Sequence, residues 1–303
     1  MAVLQGVIPV APTVFRDDES LDIEGQRRVA DFLVDAGSAA VCILANYSEQ
    51  FSLDDAERKQ VVAATVAQVD GRVPVMVTTS HYSARIAAQR SRAAQDAGAE
   101  IVMLMPPFFG ATMAAGEQAV VYYFATVADS IDIDIMVQDA PLSTTRLSTA
   151  LIARLAREIP QVRYAKIEVP RAAQKLRDLA ALSGDDLPGL FDGEESVTLI
   201  PDLWAGAIGT MCSAMVPDIL GGVVSDYLAG DRDGAELRWE SVLPLIHYEN
   251  RQCGLRAAKI ALAAGKVIAS DRSRAPFDDV SRDTRTELLR LLRRADPLVL
   301  NWN

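Results

Sequence analysis

The sequence predicts an α/β protein, a (β/α)8 TIM barrel with a C-terminal helical extension. Short apolar, β-branched runs alternate with longer helix-period stretches up to about residue 230, the pattern of repeated βα units on a parallel sheet. The first strand runs into PVAPTVFRDDES, where an open doubly wound sheet would place a Gly-rich phosphate turn. At 303 residues the chain also exceeds the ~250 typical of a barrel by about the length of a helical tail.

Strands are predicted at 7–14 (VIPVAPTV), 40–45 (AVCILA), 74–79 (PVMVTT), 101–105 (IVMLM), 133–138 (IDIMVQ), 163–167 (RYAKI), 189–192 (GLFD) and 206–211 (GAIGTM). Helices are predicted at 22–36, 53–69, 82–97, 116–129, 147–158, 171–182, 194–201 and 217–229. Ser52 before LDDAE and Ser148 before TALIARLARE read as N-caps, and Gly37 and Gly98 as helix ends. From 231 the strand signals stop, and 231–248, 252–265 and 281–296 read as three helices, the last with a leucine stripe at helical spacing. No low-complexity linker intervenes, so 1–230 is expected to form the barrel and 231–303 to pack on it within the same domain.

Thirty Lys and Arg against 41 Asp and Glu give a formal charge of -11, a field that repels phosphate backbones and anionic lipid. Nucleic acid and membrane partners are therefore not expected, and no apolar run reaches the roughly 18 residues a membrane span needs. Cys42, Cys212 and Cys253 are odd in number and widely separated, which fits buried thiols in a reducing, cytoplasmic compartment. With only His81 and His247 and no Cys-x-x-Cys, no zinc-ligand spacing can be picked out, and no metal is expected.

Of five lysines, Lys59, Lys175, Lys259 and Lys266 lie in helical or turn settings where lysines are normally solvated. Lys166 differs: it sits in YAKIE near the C-terminal end of the sixth strand, where barrel active sites assemble. A desolvated lysine loses part of its preference for the charged state and can attack a carbonyl carbon. The plainer alternative is a buried ion pair with Glu168, whose side chain shares the face of Lys166 because strand residues two apart point the same way. Glu168 suits both pictures, since a partner acid can also carry a proton.

Two loops add polar groups. ANYSEQ, residues 45–50, offers backbone amides and the Ser48 hydroxyl for a carboxylate, or else is a turn with a capping serine. At the exit of strand five, Gln138 and Asp139 precede Pro141. The pairs Asp17/Asp18 and Glu194/Glu195 read as solvated turn and helix-start charges, and His81, after strand three, either reaches the barrel mouth or is a cap or surface group.

With YAKIE at strand six, GAIGTM at strand eight and ANYSEQ after strand two, the chain resembles the dihydrodipicolinate synthase and N-acetylneuraminate lyase family over almost its whole length. The resemblance implies a barrel with C-terminal helices, usually a homotetramer, whose strand-six lysine, here Lys166, forms a Schiff base with a 2-oxo acid. The family's Gly-Thr-Thr-Gly-Glu loop, which grips the substrate carboxylate, corresponds to Ala45, Asn46, Tyr47, Ser48 and Glu49; only the glutamate is retained. Ser48 and the amides around Tyr47 would then orient the carboxylate, with Asn46 lining the site.

The departures are informative. The family's Tyr-Asn-Val-Pro reads Gln138-Asp139-Ala140-Pro141, its downstream arginine aligns with Ser143, and its Pro-Tyr-Tyr reads Pro107-Phe108-Phe109. Both relay hydroxyls are gone, which argues against dihydrodipicolinate synthesis. The pattern is similar to the branch that dehydrates 2-keto-3-deoxy sugar acids, with L-2-keto-3-deoxyarabonate the first candidate substrate and 2-oxoglutarate semialdehyde the product. Lys166, Glu168 and Gln138 are the expected catalytic residues, and no cofactor is implied because the imine supplies the electron sink. An aldolase releasing pyruvate, or a non-catalytic barrel that binds sugar acids, are the alternatives.

Overall fold

A computed structural model of the chain describes residues 3–110 and 112–302. In chain order its elements are β1 (Gly6–Val7), α1 (Ile23–Asp35), β2 (Val41–Ile43), α2 (Asp55–Val69), β3 (Val75–Thr78), α3 (Ala84–Asp96), β4 (Ile101–Leu104), β5 (Phe108–Phe109), β6 (Met113–Ala114), α4 (Glu117–Ala128), β7 (Asp134–Asp139), α5 (Thr149–Glu158), β8 (Val162–Ile167), α6 (Ala172–Ser183), β9 (Gly189–Asp192), α7 (Leu199–Trp204), β10 (Gly209–Thr210), α8 (Pro217–Leu228), α9 (Arg232–Tyr248), α10 (Arg256–Ala264) and α11 (Arg282–Ala295). A π-helical turn, Glu249–Cys253, links α9 to α10.

The chain divides into two compact units. The first holds Met76–Glu194 and Thr198–Gly209 with the chain's first residues. Here β3, β4, β7, β8 and β9 pair in parallel, each with the next, through registers such as Val102↔Ile135 and Val137↔Ala165. Residues 101–105 and 135–140 are buried throughout, as expected of parallel strands covered on both faces. The Ser148 oxygen accepts from the Leu151 amide at 3.1 Å, so the α5 cap read from the sequence is the cap observed, a contact typically worth ~1 kcal/mol. Gly98, φ +101°, lies just past the end of α3.

The second unit holds Gly6–Val75, Glu195–Val197 and the chain from Thr210 onward. Residues 7–10 are paired on both sides: Ile8 and Val10 donate to Thr210 and Cys212 carbonyls at 2.9 and 2.8 Å, and Cys42 donates to Pro9 at 3.0 Å. The first strand is shorter than the predicted 7–14 because Pro9 and Pro12 have no amide to give a ladder. In the C-terminal helices, Leu288, Leu291 and Leu292 of α11 are buried, and α11 packs on α9 and α10. No helix among the described residues is long and apolar enough to cross a membrane.

Three local readings are corrected. The α2 cap is Asp54, whose carboxylate accepts the Glu57 amide while Glu57 reaches back to the Asp54 amide, a reciprocal box that Ser52 does not make. The seventh helix begins at Leu199 rather than 194, because Glu195 and Ser196 take φ +45° and +71°, which no right-handed helix admits. A small hairpin, β5–β6, lies between β4 and α4 where no strand was predicted.

Candidate active site

Parallel pairing sets Gln138, Lys166 and Phe191 side by side on β7, β8 and β9, and register partners on neighbouring strands share a face. The Glu168 amide donates to the Asp139 carbonyl at 3.0 Å, which extends the strand line two residues past Lys166 and returns the Glu168 side chain to the same face. Lys166 Nζ lies 2.5 Å from Glu168 Oε1, and the lysine side chain is only 4% exposed. Gln138 Nε2 donates to that same Oε1 at 3.0 Å. Gln138 is itself buried, and its Oε1 accepts no hydrogen bond among the described residues. The three catalytic residues expected from the sequence are therefore brought together, with one acceptor left over.

Gly193, just past β9, closes this cluster, and the sequence reading passed over it. A Cβ there would stand 2.5 Å from Glu168 Cγ and 2.8 Å from Lys166 Cγ. Only a residue without a side chain lets the β9 turn lie against the amine and the acid; its one signal in the sequence is a glycine directly after a strand end, in FDGEES.

The opposite face of the same strands faces helices. Asp139 is buried and paired with Lys175 of α6 at 2.6 Å, and Lys175 also donates to the Leu147 carbonyl. Burial pushes the Asp139 carboxyl up, with Lys175 acting against that shift. Lys175 is thus not the solvated lysine expected: it ties the end of β7 to α6. At the end of β9, Asp192 is hydrogen-bonded to Asp202 of α7, which also accepts from Thr198 at 2.8 Å; burial raises the Asp202 carboxyl.

In the ANYSEQ loop, Asn46–Ser48 and Gln50–Ser52 each form one 3-10 turn, joined at Glu49 with φ +56°. Ser48 is buried; its hydroxyl donates to the Ala11 carbonyl at 2.6 Å and accepts from the Ala45 amide at 3.1 Å. Asn46 and Tyr47 are half-buried, and Asn46 accepts from Gln50 at 2.7 Å.

Lys259 overturns a second expectation: it is not solvated but fully buried, ion-paired to Glu49. Its setting, RAAKIALAA, has small and apolar residues on every side, a signal for burial that outweighs the usual solvation of lysine. Lys59 and Lys266 are exposed, as expected. Asp17, Asp18 and Glu194 are solvated, whereas Glu195 is buried in its left-handed turn. His81 Nδ1 accepts the Ser83 amide at 2.9 Å, a turn contact.

The dihydrodipicolinate synthetase family profile matches residues 3–295. The chain is 50% identical over 298 residues to L-2-keto-3-deoxyarabonate dehydratase of Azospirillum brasilense, covering 98% of this chain and 96% of that one. It is 27% identical to 4-hydroxy-tetrahydrodipicolinate synthase of Syntrophobacter fumaroxidans, over 94% of this chain and 96% of the other. Among solved structures, dihydrodipicolinate synthase from Rhodopseudomonas palustris superposes with a TM-score of 0.88 at 27% identity, covering 96% of this chain and 97% of that one.

Fold and site together define the class: a (β/α)8 barrel with a helical extension and a buried lysine–carboxylate pair at a strand end, the type of a lysine-dependent lyase. The chain belongs to the dihydrodipicolinate synthetase family.

Proposed function

We propose that the protein is a hydro-lyase that dehydrates L-2-keto-3-deoxyarabonate to 2-oxoglutarate semialdehyde through a Schiff base on Lys166. The observation that carries this reading is the 2.5 Å contact between Lys166 Nζ and Glu168 Oε1, with Gln138 donating to the same oxygen where the family's phenol stands. The half-identity to a dehydratase acting on that sugar acid supports the substrate.

Passing one ammonium proton along that contact leaves a neutral amine and a carboxylic acid. The amine adds to the C2 ketone, the C2 oxygen takes one proton from Glu168 and a second from the newly bonded nitrogen, and it leaves as water to give the iminium. The iminium acidifies C3, so the Glu168 carboxylate removes a C3 proton to give the enamine. The same proton then goes to the C4 hydroxyl, and the enamine electrons expel it as a second water. A proton shift from C5 to C3 turns the unsaturated iminium into an enol across C4 and C5, transfer of the enol hydroxyl proton to C4 gives the aldehyde, and hydrolysis consumes one water to restore Lys166. The net change is loss of one water.

Gln138 keeps Glu168 aimed by donating to it, and its spare Oε1 is an acceptor for a substrate hydroxyl; an amide does this without titrating. A retro-aldol cleavage would need a base on the C4 hydroxyl where the family has its phenol, and Gln138 offers none. To the Asn46–Ser48 turn, through the amides around Tyr47, we assign the substrate's C1 carboxylate on the family's loop pattern; the Ser48 hydroxyl, donating to the Ala11 carbonyl, holds the turn, and Asn46 lines the site. The reading includes a homotetramer and a cytoplasmic location, in keeping with three buried free thiols, Cys42, Cys212 and Cys253.

Borohydride reduction in the presence of L-2-keto-3-deoxyarabonate, followed by mass mapping, is expected to label the peptide carrying Lys166 and to inactivate the enzyme. Lys166→Ala should abolish labelling and lower turnover by ~10⁴-fold or more, as loss of a covalent nucleophile does. Label on another lysine, or pyruvate as product, would overturn the reading.

A further inference from the structure

Lys259 is the most enclosed cation in the second unit: both its side chain and that of Glu49 are 0% exposed. Besides Glu49 Oε1, its ammonium donates to the Arg272 carbonyl at 2.9 Å and lies 4.5 Å from the centre of the Phe15 ring. The other Glu49 oxygen accepts the Arg274 amide at 2.9 Å. The Arg274 guanidinium in turn clasps Glu57 at 2.6 and 2.8 Å, donates to the Ser52 carbonyl at 2.6 Å and lies over the Phe15 ring, also at 4.5 Å from its centre. Burial pulls the Lys259 ammonium down, and the Glu49 carboxylate counters it.

The Lys259 ammonium and both Glu49 oxygens are engaged within the chain, so the ion pair itself has no spare acceptor for a reaction. A fully buried ion pair also rarely stabilises a fold more than an apolar pair of the same shape would. What this pair does fix is geometry. Glu49 stands at φ +56°, a conformation a glutamate leaves readily unless its surroundings hold it, and it is the hinge between the two 3-10 turns. Its carboxylate is held from α10 on one oxygen and from the 272–274 segment on the other.

We infer that Lys259 is a positioning residue: from the C-terminal helices it fixes, through the Glu49 carboxylate, the Asn46–Ser48 turn that receives the substrate's carboxylate. The inference rests on the assignment of that turn in the preceding section. It gives the helical extension a role in substrate recognition, exerted entirely within the second unit.

The test uses the full-length protein as Lys259→Met, Glu49→Gln and the double variant. The measurements are steady-state kinetics with L-2-keto-3-deoxyarabonate, borohydride trapping and hydrogen exchange of peptides spanning 45–52. Lys259→Met should raise KM ~10- to 100-fold, the scale of a small misplacement of a binding group, with kcat within about threefold, and should speed exchange in 45–52. Trapping on Lys166 at saturating substrate should persist. Glu49→Gln should show a smaller rise, and the double variant should recover part of the Lys259→Met defect, because no carboxylate is then left buried without its cation.

A folded Lys259→Met protein with unchanged KM and unchanged exchange overturns the inference. So does a parallel loss of kcat and of trapping, which marks general damage. Faster exchange with unchanged KM instead removes the turn from the substrate site and leaves the anchor standing. Should Lys259→Met not fold, the double variant and Glu49→Gln carry the same comparison: KM and exchange as in the unaltered protein overturn it.

Discussion

Among the described residues two lysine–glutamate pairs contain a buried lysine, and they are built to opposite ends. Lys166–Glu168 sits on strand residues two apart, the acid side chain is 13% exposed, and its neighbour Gln138 keeps an unused acceptor. Lys259–Glu49 joins residues 210 positions apart, both side chains are fully enclosed, and each of the acid's oxygens has its own donor. The first pair has unmet hydrogen-bonding capacity beside it and so can change partners when a carbonyl arrives. In the second the ammonium and both carboxylate oxygens are engaged, and the pair serves as a fixed point. Burial of a lysine therefore does not by itself mark a reactive amine; the completeness of its surroundings decides.

The contrast is broken most severely by removing the acid from the open pair. Glu168→Gln retains a hydrogen-bonding side chain but carries no proton between C3 and the C4 oxygen, so kcat should fall by ~10²- to 10⁴-fold, the range for a lost general acid–base. Single-turnover assays would show slow imine formation followed by an arrested elimination. An unchanged kcat would place the proton carrier elsewhere.

Gly193→Ala should sharpen the comparison by crowding the open pair alone. Its Cβ would meet Glu168 Cγ at 2.5 Å and Lys166 Cγ at 2.8 Å, so those side chains must move. Turnover is expected to drop ~10- to 100-fold, as for a small displacement of reacting groups, with a melting temperature close to that of the unaltered protein. A crystal structure of the variant would show the amine and acid parted.

Another buried carboxyl, one hydrogen-bonded to a serine and to no cation, gives the smallest effect and isolates what burial alone does. Glu249 in the π-helical turn is fully enclosed, hydrogen-bonded to Ser213, and pushed by burial from 4.5 up to about 8. Its second oxygen has no partner among the described residues. Between those values the folded protein binds the proton more tightly than the unfolded chain, so stability falls as pH rises from about 4.5 through about 8 and then levels off. Melting curves at pH 5 to 9 should show that decline, and Glu249→Gln should flatten it. A variant with the same pH slope as the parent would mean that other groups carry the dependence.

Much of the fold was legible because alternating apolar runs and helical periods are local signals. The β9 segment 189–192 matches its prediction residue for residue, and most helix ends fall within two residues. The Lys166–Glu168 face was legible for the same reason, since strand geometry fixes where residues two apart point. The seventh helix was misplaced because left-handed φ values at Glu195 and Ser196 are set by packing and not by residue type. Lys175 and Lys259 were misread because a lysine on a helix is solvated unless a distant carboxylate meets it, and Asp139 and Glu49 lie 36 and 210 residues away.

By itself, the sequence determined the order of βα units, the amine at the sixth strand end and the acid beside it, all consequences of spacing along one chain segment. Only the tertiary structure decided that Gln138 faces Glu168, that Gly193 closes against both, and that Lys259 holds Glu49. Those contacts join segments whose separation in sequence carries no record of their approach, and they exist because burying charged and polar groups is costly until a partner from elsewhere in the fold satisfies them.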